Sequence, residues 1–161
     1  MRLTALLLLV ASSSLLACSG PMDRIAEADN AREAMFRYMI AEHGSLQGED
    51  GHCYFLSVQN GDARRWSDPS DAFMKRFAGL APAVKKVSEC DSDASRGVTD
   101  RATGARGHIL HLDPIRWLSD REVELGWKDY TNGLDANGGR CRLRWNVGNW
   151  ILVDKRTEVI S

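Results

Sequence analysis

The chain has 161 residues, a formal net charge of −1, 43% hydrophobic and 27% charged residues. That balance excludes a nucleic-acid partner and strong electrostatic attraction to anionic lipid, both of which need a basic surface. The hydrophobic content is ordinary for a globular protein, and the length suits one domain.

The chain opens with Met1-Arg2, a short positive start, followed by an apolar run from Leu3 to Leu16. The run is about fourteen residues long, too short for a stable bilayer-spanning helix, which needs roughly twenty. It ends in Leu15-Leu16-Ala17-Cys18, followed at once by Ser19-Gly20-Pro21. A basic end, a short apolar middle and a small-residue exit mark an export signal. This segment resembles a bacterial lipoprotein signal peptide with a lipobox. Cleavage near Ser12-Ser13-Ser14 and an uncleaved anchor helix are the other readings of the same run.

The resemblance implies that 1–17 is removed and that Cys18 carries the lipid, with 18–21 a short tether to a single domain over 22–161. Two or three acyl chains hold a protein on a membrane where one holds it only marginally. Ser19 follows the lipidated cysteine where many diderm lipoproteins retained in the inner membrane carry aspartate. The periplasmic face of the outer membrane is therefore the expected location.

Pro21 or Asp23 opens a helix over 22–43. Ile25, Ala28, Met35, Phe36, Met39 and Ile40 form one apolar stripe at helical spacing, and Gly44 suits the stop. Residues 45–51 read as a polar loop. Cys53 to Val58 reads as a strand closed by Asn60-Gly61. Asp68-Pro69-Ser70-Asp71 is a helix start, with Asp68 as the cap and Pro69 in the first turn. Phe73, Phe77 and Leu80 follow on one face. Residues 84–90 read as a short strand, and 91–106 as a loop or loose hairpin.

Residues 107–117 are strand-like, interrupted by Asp113-Pro114. Val123, Leu125 and Trp127 alternate with Glu122, Glu124 and Lys128. Cys141, Leu143 and Trp145 alternate with Arg140, Arg142 and Arg144. Between these runs, 132–139 reads as an Asn- and Gly-rich turn. A tight turn at 146–149 leads to a last strand over 150–160. The expected fold class is α+β: an N-terminal amphipathic helix packed on a mainly antiparallel sheet that ends in a three-strand meander. In the order of its elements over 22–161 the domain is similar to cystatin-like and NTF2-like architectures, with no functional residue carried over.

With Cys18 assigned to lipid, Cys53, Cys90 and Cys141 remain in an oxidising compartment. Cys53 and Cys90 bound strand-like runs and are the expected disulfide, while Cys141 alternates with Leu143 and Trp145 as an inward-facing thiol. No Cys-x-x-Cys or regular Cys/His spacing marks a metal site, and no Gly-rich phosphate loop or Gly-x-Ser-x-Gly elbow marks a cofactor or hydrolase site, so none is expected.

His108 and His111 point to opposite faces of their strand, so joint ligation is disfavoured, whereas His111 and Asp113 share a face and form the candidate acid–base pair. His43 is expected to cap the first helix, with a site shared with His52 as the alternative. Glu122 and Glu124 beside Arg142 and Arg144 read as a solvated salt-bridged face. The other reading makes Arg140, Arg142 and Arg144 a basic stripe for an anionic partner. Trp127, Trp145 and Trp150 are expected in the core, and Trp66 and Trp117 near the surface, where they can line a concave face for an apolar or sugar-like ligand.

The resulting expectation is a non-enzymatic lipoprotein of the cell envelope. Its partners are the membrane, through Cys18, and an envelope protein or small ligand. The alternative is a small enzyme with a pocket between helix and sheet, using His111 and Asp113.

Overall fold

A computed structural model describes residues 22–43, 52–59, 66–132 and 135–160. The signal segment 1–17, Cys18 with its tether, Gly44, the 45–51 loop and Asn60-Gly61 lie outside the described residues. Eleven elements follow one another: α1 (Arg24–Glu42), β1 (Cys53–Val58), α2 (Asp71–Met74), β2 (Ala83–Lys86), β3 (Cys90–Asp93), β4 (Gly97–Asp100), β5 (Arg106–Leu112), β6 (Arg116–Ser119), β7 (Glu122–Asn132), β8 (Asp135–Asn146) and β9 (Asn149–Ile160). About half of the described residues lie in strands, so sheet dominates over helix.

The sheet order is β2-β1-β5-β7-β8-β9. β7, β8 and β9 form the expected antiparallel meander. The other half departs from the mainly antiparallel expectation: β1 runs parallel to both β2 and β5, so the sheet is mixed. Parallel neighbours need a long crossover, and the stretch containing α2 provides one between β1 and β2. Alternation in the sequence fixes which face a residue takes but not which way its strand runs.

α1 begins where expected. Asp23 caps it, its carboxylate accepting from the Ile25 and Ala26 amides. Ala31, Met35, Phe36, Met39 and Ile40 are buried against the sheet, but Ile25, expected in that stripe, is 84% exposed in the first turn. Opposite them lie Val123, Leu125, Trp127, Leu143 and Trp150, with Trp145 and Leu152 packed at the margin. Side chains fill the middle of the space between helix and sheet, and a recess remains at the His43 end of α1. Trp117, expected at the surface, is half-buried and packs edge-on against Trp150 at 5.8 Å.

α2 is capped by Ser70, whose hydroxyl accepts from the Phe73 amide, rather than by Asp68. Asp68 instead accepts from the Ser88 amide and hydroxyl at 2.9 and 2.7 Å, tying the turn after β2 to this corner. Phe73 and Phe77 pack on Phe36, while Leu80 is exposed. Of the two readings of 91–106, loop or loose hairpin, the structure shows the hairpin: β3 and β4 pair antiparallel, and β4 joins the start of β5. The turn read at 132–139 is shorter, because β8 already begins at Asp135 and contains Gly138 and Gly139.

The side of the sheet away from α1 is divided. Over β1 and β5 it is covered by a second small core of Cys53, Phe55, Val87, Cys90, Val98 and Ile109. Over β7, β8 and β9 it carries charged residues in ion pairs, including Arg142–Glu122 at 3.6 Å, Arg144–Glu122 at 3.8 Å and Arg140–Glu124 at 3.2 Å.

The expected Cys53–Cys90 bridge is not formed. Both residues sit in the second core as free thiols, and the Cys90 thiol donates to the Val87 carbonyl at 3.1 Å. Burial pushes the Cys53 thiol up and Cys90 to about 11, and an undissociated thiol is a poor nucleophile for disulfide exchange. Cys141 is a buried free thiol on the helix face, 3.5 Å from the Met35 sulfur.

Candidate functional site

One large recess lies on the outer face of β7 and β8. Even-numbered residues of β7 point to this face, and Gly126 and Gly138 present no side chain there, which leaves room for the Asp113 carboxylate over Gly126 and the Lys128 side chain beside Gly138. Trp66 and Tyr130, with rings 5.6 Å apart, stand on one side, and Arg116, Glu124, Arg140 and Glu158 stand on the other. The groove measures about 510 Å³, within the size range of ligand sites. Gly126 is needed there: a Cβ at that position would approach the Asp113 carboxylate to 2.1 Å.

The expected His111–Asp113 pair is present, with Nε2 of His111 3.1 Å from the Asp113 carboxylate. The other ring nitrogen, Nδ1, is 3.0 Å from the Ser57 hydroxyl. A carboxylate only accepts, so Nε2 carries the proton and Nδ1 accepts from Ser57. This is a serine–histidine–aspartate chain, but Ser57 is wholly buried and His111 is 4% exposed. Asp113 alone lines the groove, where Lys128 lies 3.3 Å from it. The arrangement ties β1, β5 and the β5–β6 connection together and offers a substrate no exposed nucleophile.

Burial, reinforced by Lys128, holds the His111 imidazole below its usual range, with Asp113 opposing. A depressed histidine favours the neutral folded form, so its stabilising contribution is complete above the unfolded value near 6.5 and is lost as pH falls below it. Urea midpoints measured across that window should drop on acidification more steeply for the wild type than for His111→Asn. Equal slopes would show that His111 is not held neutral by the fold.

A second polar cluster lies on the helix face, where sequence periodicity places core. His43, at the C-terminal end of α1, has Nε2 2.7 Å from Asp129 Oδ2. His108, on β5, has Nδ1 3.2 Å from Asp129 Oδ1 and 3.0 Å from the Thr131 hydroxyl. The His43 and His108 rings are 4.5 Å apart, and the His52 ring is 5.4 Å from that of His108. His43 and His52, considered together from their sequence, are thus joined through His108. The His43 backbone ends the helix as expected, but its side chain pairs with Asp129.

Burial pushes the Asp129 carboxyl up, yet hydrogen bonds from His108 and His43 outweigh it and hold it at about 2. The bond to Asp129 in turn raises His43. Tyr54, wholly buried, has its ring 5.9 Å from each of these two histidines. Burial, with the Asp129 charge, pushes its hydroxyl to about 12, and that hydroxyl has no hydrogen-bond partner among the described residues. An unsatisfied buried hydroxyl costs about 1–3 kcal/mol. A recess of about 240 Å³, lined in part by His43, Asp129, Asn137 and Lys155, reaches this cluster from solvent.

Comparison with protein-family models, with curated proteins and with solved structures finds no match. No solved structure therefore supports the expected resemblance to cystatin-like and NTF2-like architectures.

Proposed function

We propose that the protein is a lipid-anchored component of the bacterial cell envelope that binds a ligand, without transforming it, in the groove on the outer face of β7 and β8. The groove of about 510 Å³, flanked by an aromatic pair and a charged rim, carries this reading. Aromatic rings stack on the C–H faces of sugars, and paired carboxylates and guanidinium groups exchange hydrogen bonds with hydroxyls, so a sugar-like ligand suits the lining. The enzymatic alternative with His111 and Asp113 has less support, since only the carboxylate of that pair reaches the groove and His111 itself is buried.

Titration with soluble oligosaccharides of N-acetylated hexosamines, followed by the indole N–H signals, tests the binding half. Trp66→Ala should weaken binding about tenfold or more while leaving the melting temperature nearly unchanged, because Trp66 is 41% exposed. Wild-type affinity in that variant would remove the groove as the site. The anchoring half rests on Leu15-Leu16-Ala17-Cys18. Cys18→Ser should abolish labelling by a fatty-acid analogue and release the protein from membranes, and unchanged membrane association would sink it.

A further inference from the structure

We propose that His43, His108 and Asp129 form a binding site for a divalent transition metal, with zinc the ion their donors suit best. The three residues come from a helix end and two different strands, and each offers a ligand atom within 4.8 Å of the others. Two imidazoles and one carboxylate are a donor set that zinc accepts in tetrahedral sites with a fourth position left open.

The spacing fits with small movements. Bonds of about 2.0–2.1 Å in a tetrahedral site place neighbouring donors about 3.3 Å apart. The His43–Asp129 and His108–Asp129 contacts are 2.7 and 3.2 Å. Zinc would take the place of the protons that His43 Nε2 and His108 Nδ1 each share with Asp129, releasing them to solvent or to the other ring nitrogens, and Asp129 would bind the ion through an oxygen already aimed at these rings. Thr131 contacts the same ring nitrogen of His108, Nδ1, at 3.0 Å, so its hydroxyl would turn away when that nitrogen takes the ion.

A second observation points the same way. The Tyr54 ring lies 5.9 Å from both histidine rings, and its buried hydroxyl has no partner among the described residues. A water in the open position of the metal would supply the missing donor. The recess beside His43 provides the entry path, and Lys155, which lines it, is paired with Glu42 so that its charge is largely offset.

The full chain, purified in detergent and stripped with chelator, is titrated with zinc by calorimetry and with cobalt(II) by visible absorption. One ion per chain is expected, with cobalt d–d bands of tetrahedral intensity and no thiolate charge-transfer band. His43→Gln, at the helix end and outside the apolar core, should lower affinity about a hundredfold, and Asp129→Asn should do likewise. On zinc addition to the wild type, the ring signals of His43 and His108 should shift while those of His111 stay in place. Unchanged affinity in a folded His43→Gln, a cobalt spectrum with thiolate character, or His43 and His108 signals that do not move would each overturn the site. The groove mutation Trp66→Ala should leave zinc affinity unchanged, so failure of the groove reading and failure of this one are distinguishable.

Discussion

Replacing Met39 by aspartate is expected to cost several kcal/mol and to lower the melting temperature by about 10 °C or more. Met39 is 2% exposed and lies in the main core with Phe36, Leu125 and Trp127, where α1 meets the sheet. A carboxylate at that position would lose most of its hydration, and the nearby Lys155 and His43 are already paired with Glu42 and Asp129, so it would enter protonated or force the helix away. Neither α1 nor the inner face of the meander has another cover among the described residues. Arg142→Ala makes the contrast: its partners Glu122 and Asp154 are 3.6 and 3.5 Å away in a partly solvated setting, and the loss should stay well under 1 kcal/mol. Urea or thermal unfolding measures both. An unchanged melting temperature for Met39→Asp would mean that α1 does not cover the sheet, leaving the sheet face itself as a partner-binding surface.

Gly139→Ala should be the second severe change, by about 3 kcal/mol or more. A Cβ on Gly139 would come within 1.8 Å of the Arg156 carbonyl oxygen and 3.1 Å of the Glu158 amide. These are backbone atoms of β9, beside a register shift between Gly138 and Gly139, so relief requires the two longest strands to part locally. Gly126→Ala differs in kind, since the atom it meets belongs to the Asp113 side chain rather than to a strand. Hydrogen exchange should show the Gly139 variant losing protection along β8 and β9 first. Wild-type stability and protection would mean that β9 passes farther from Gly139 than the sheet register implies.

What was legible in the sequence follows from what periodicity encodes. Met35, Phe36, Met39 and Ile40 identify the covered face of α1, and Val123, Leu125, Trp127 and Leu143 identify the inner face of the meander. Strand direction is not periodic, so the parallel placement of β1 between β2 and β5 was hidden. Capping was misassigned because Asp68 and Ser70 are both good caps, and a tertiary contact with Ser88 claims the aspartate.

The glycines at 138 and 139 read as turn residues because a bulged, close-packed strand uses them for the same absence of Cβ. The His43–His108–Asp129 cluster has no linear spacing to find, since its members come from three elements. One signal was present: Asp129 continues the inward phase of Val123, Leu125 and Trp127, and His108 precedes Leu110 and Leu112 in the same way. An ionisable group in an apolar register points to a partner across the sheet. The Ser57 link to His111 carried no comparable mark.

In β7, Trp127 and Asp129 face the helix, while Lys128 and Tyr130 face the groove, on alternate positions of one strand. Both surfaces are therefore written in a single reading frame. A deletion or insertion of one residue between Trp127 and Tyr130 would exchange the two sets at once, sending Lys128 into the core and Asp129 out of reach of its histidines. Over evolutionary time this segment should accept substitutions on either face independently yet resist any change in its length, with indels confined to the connections at its ends.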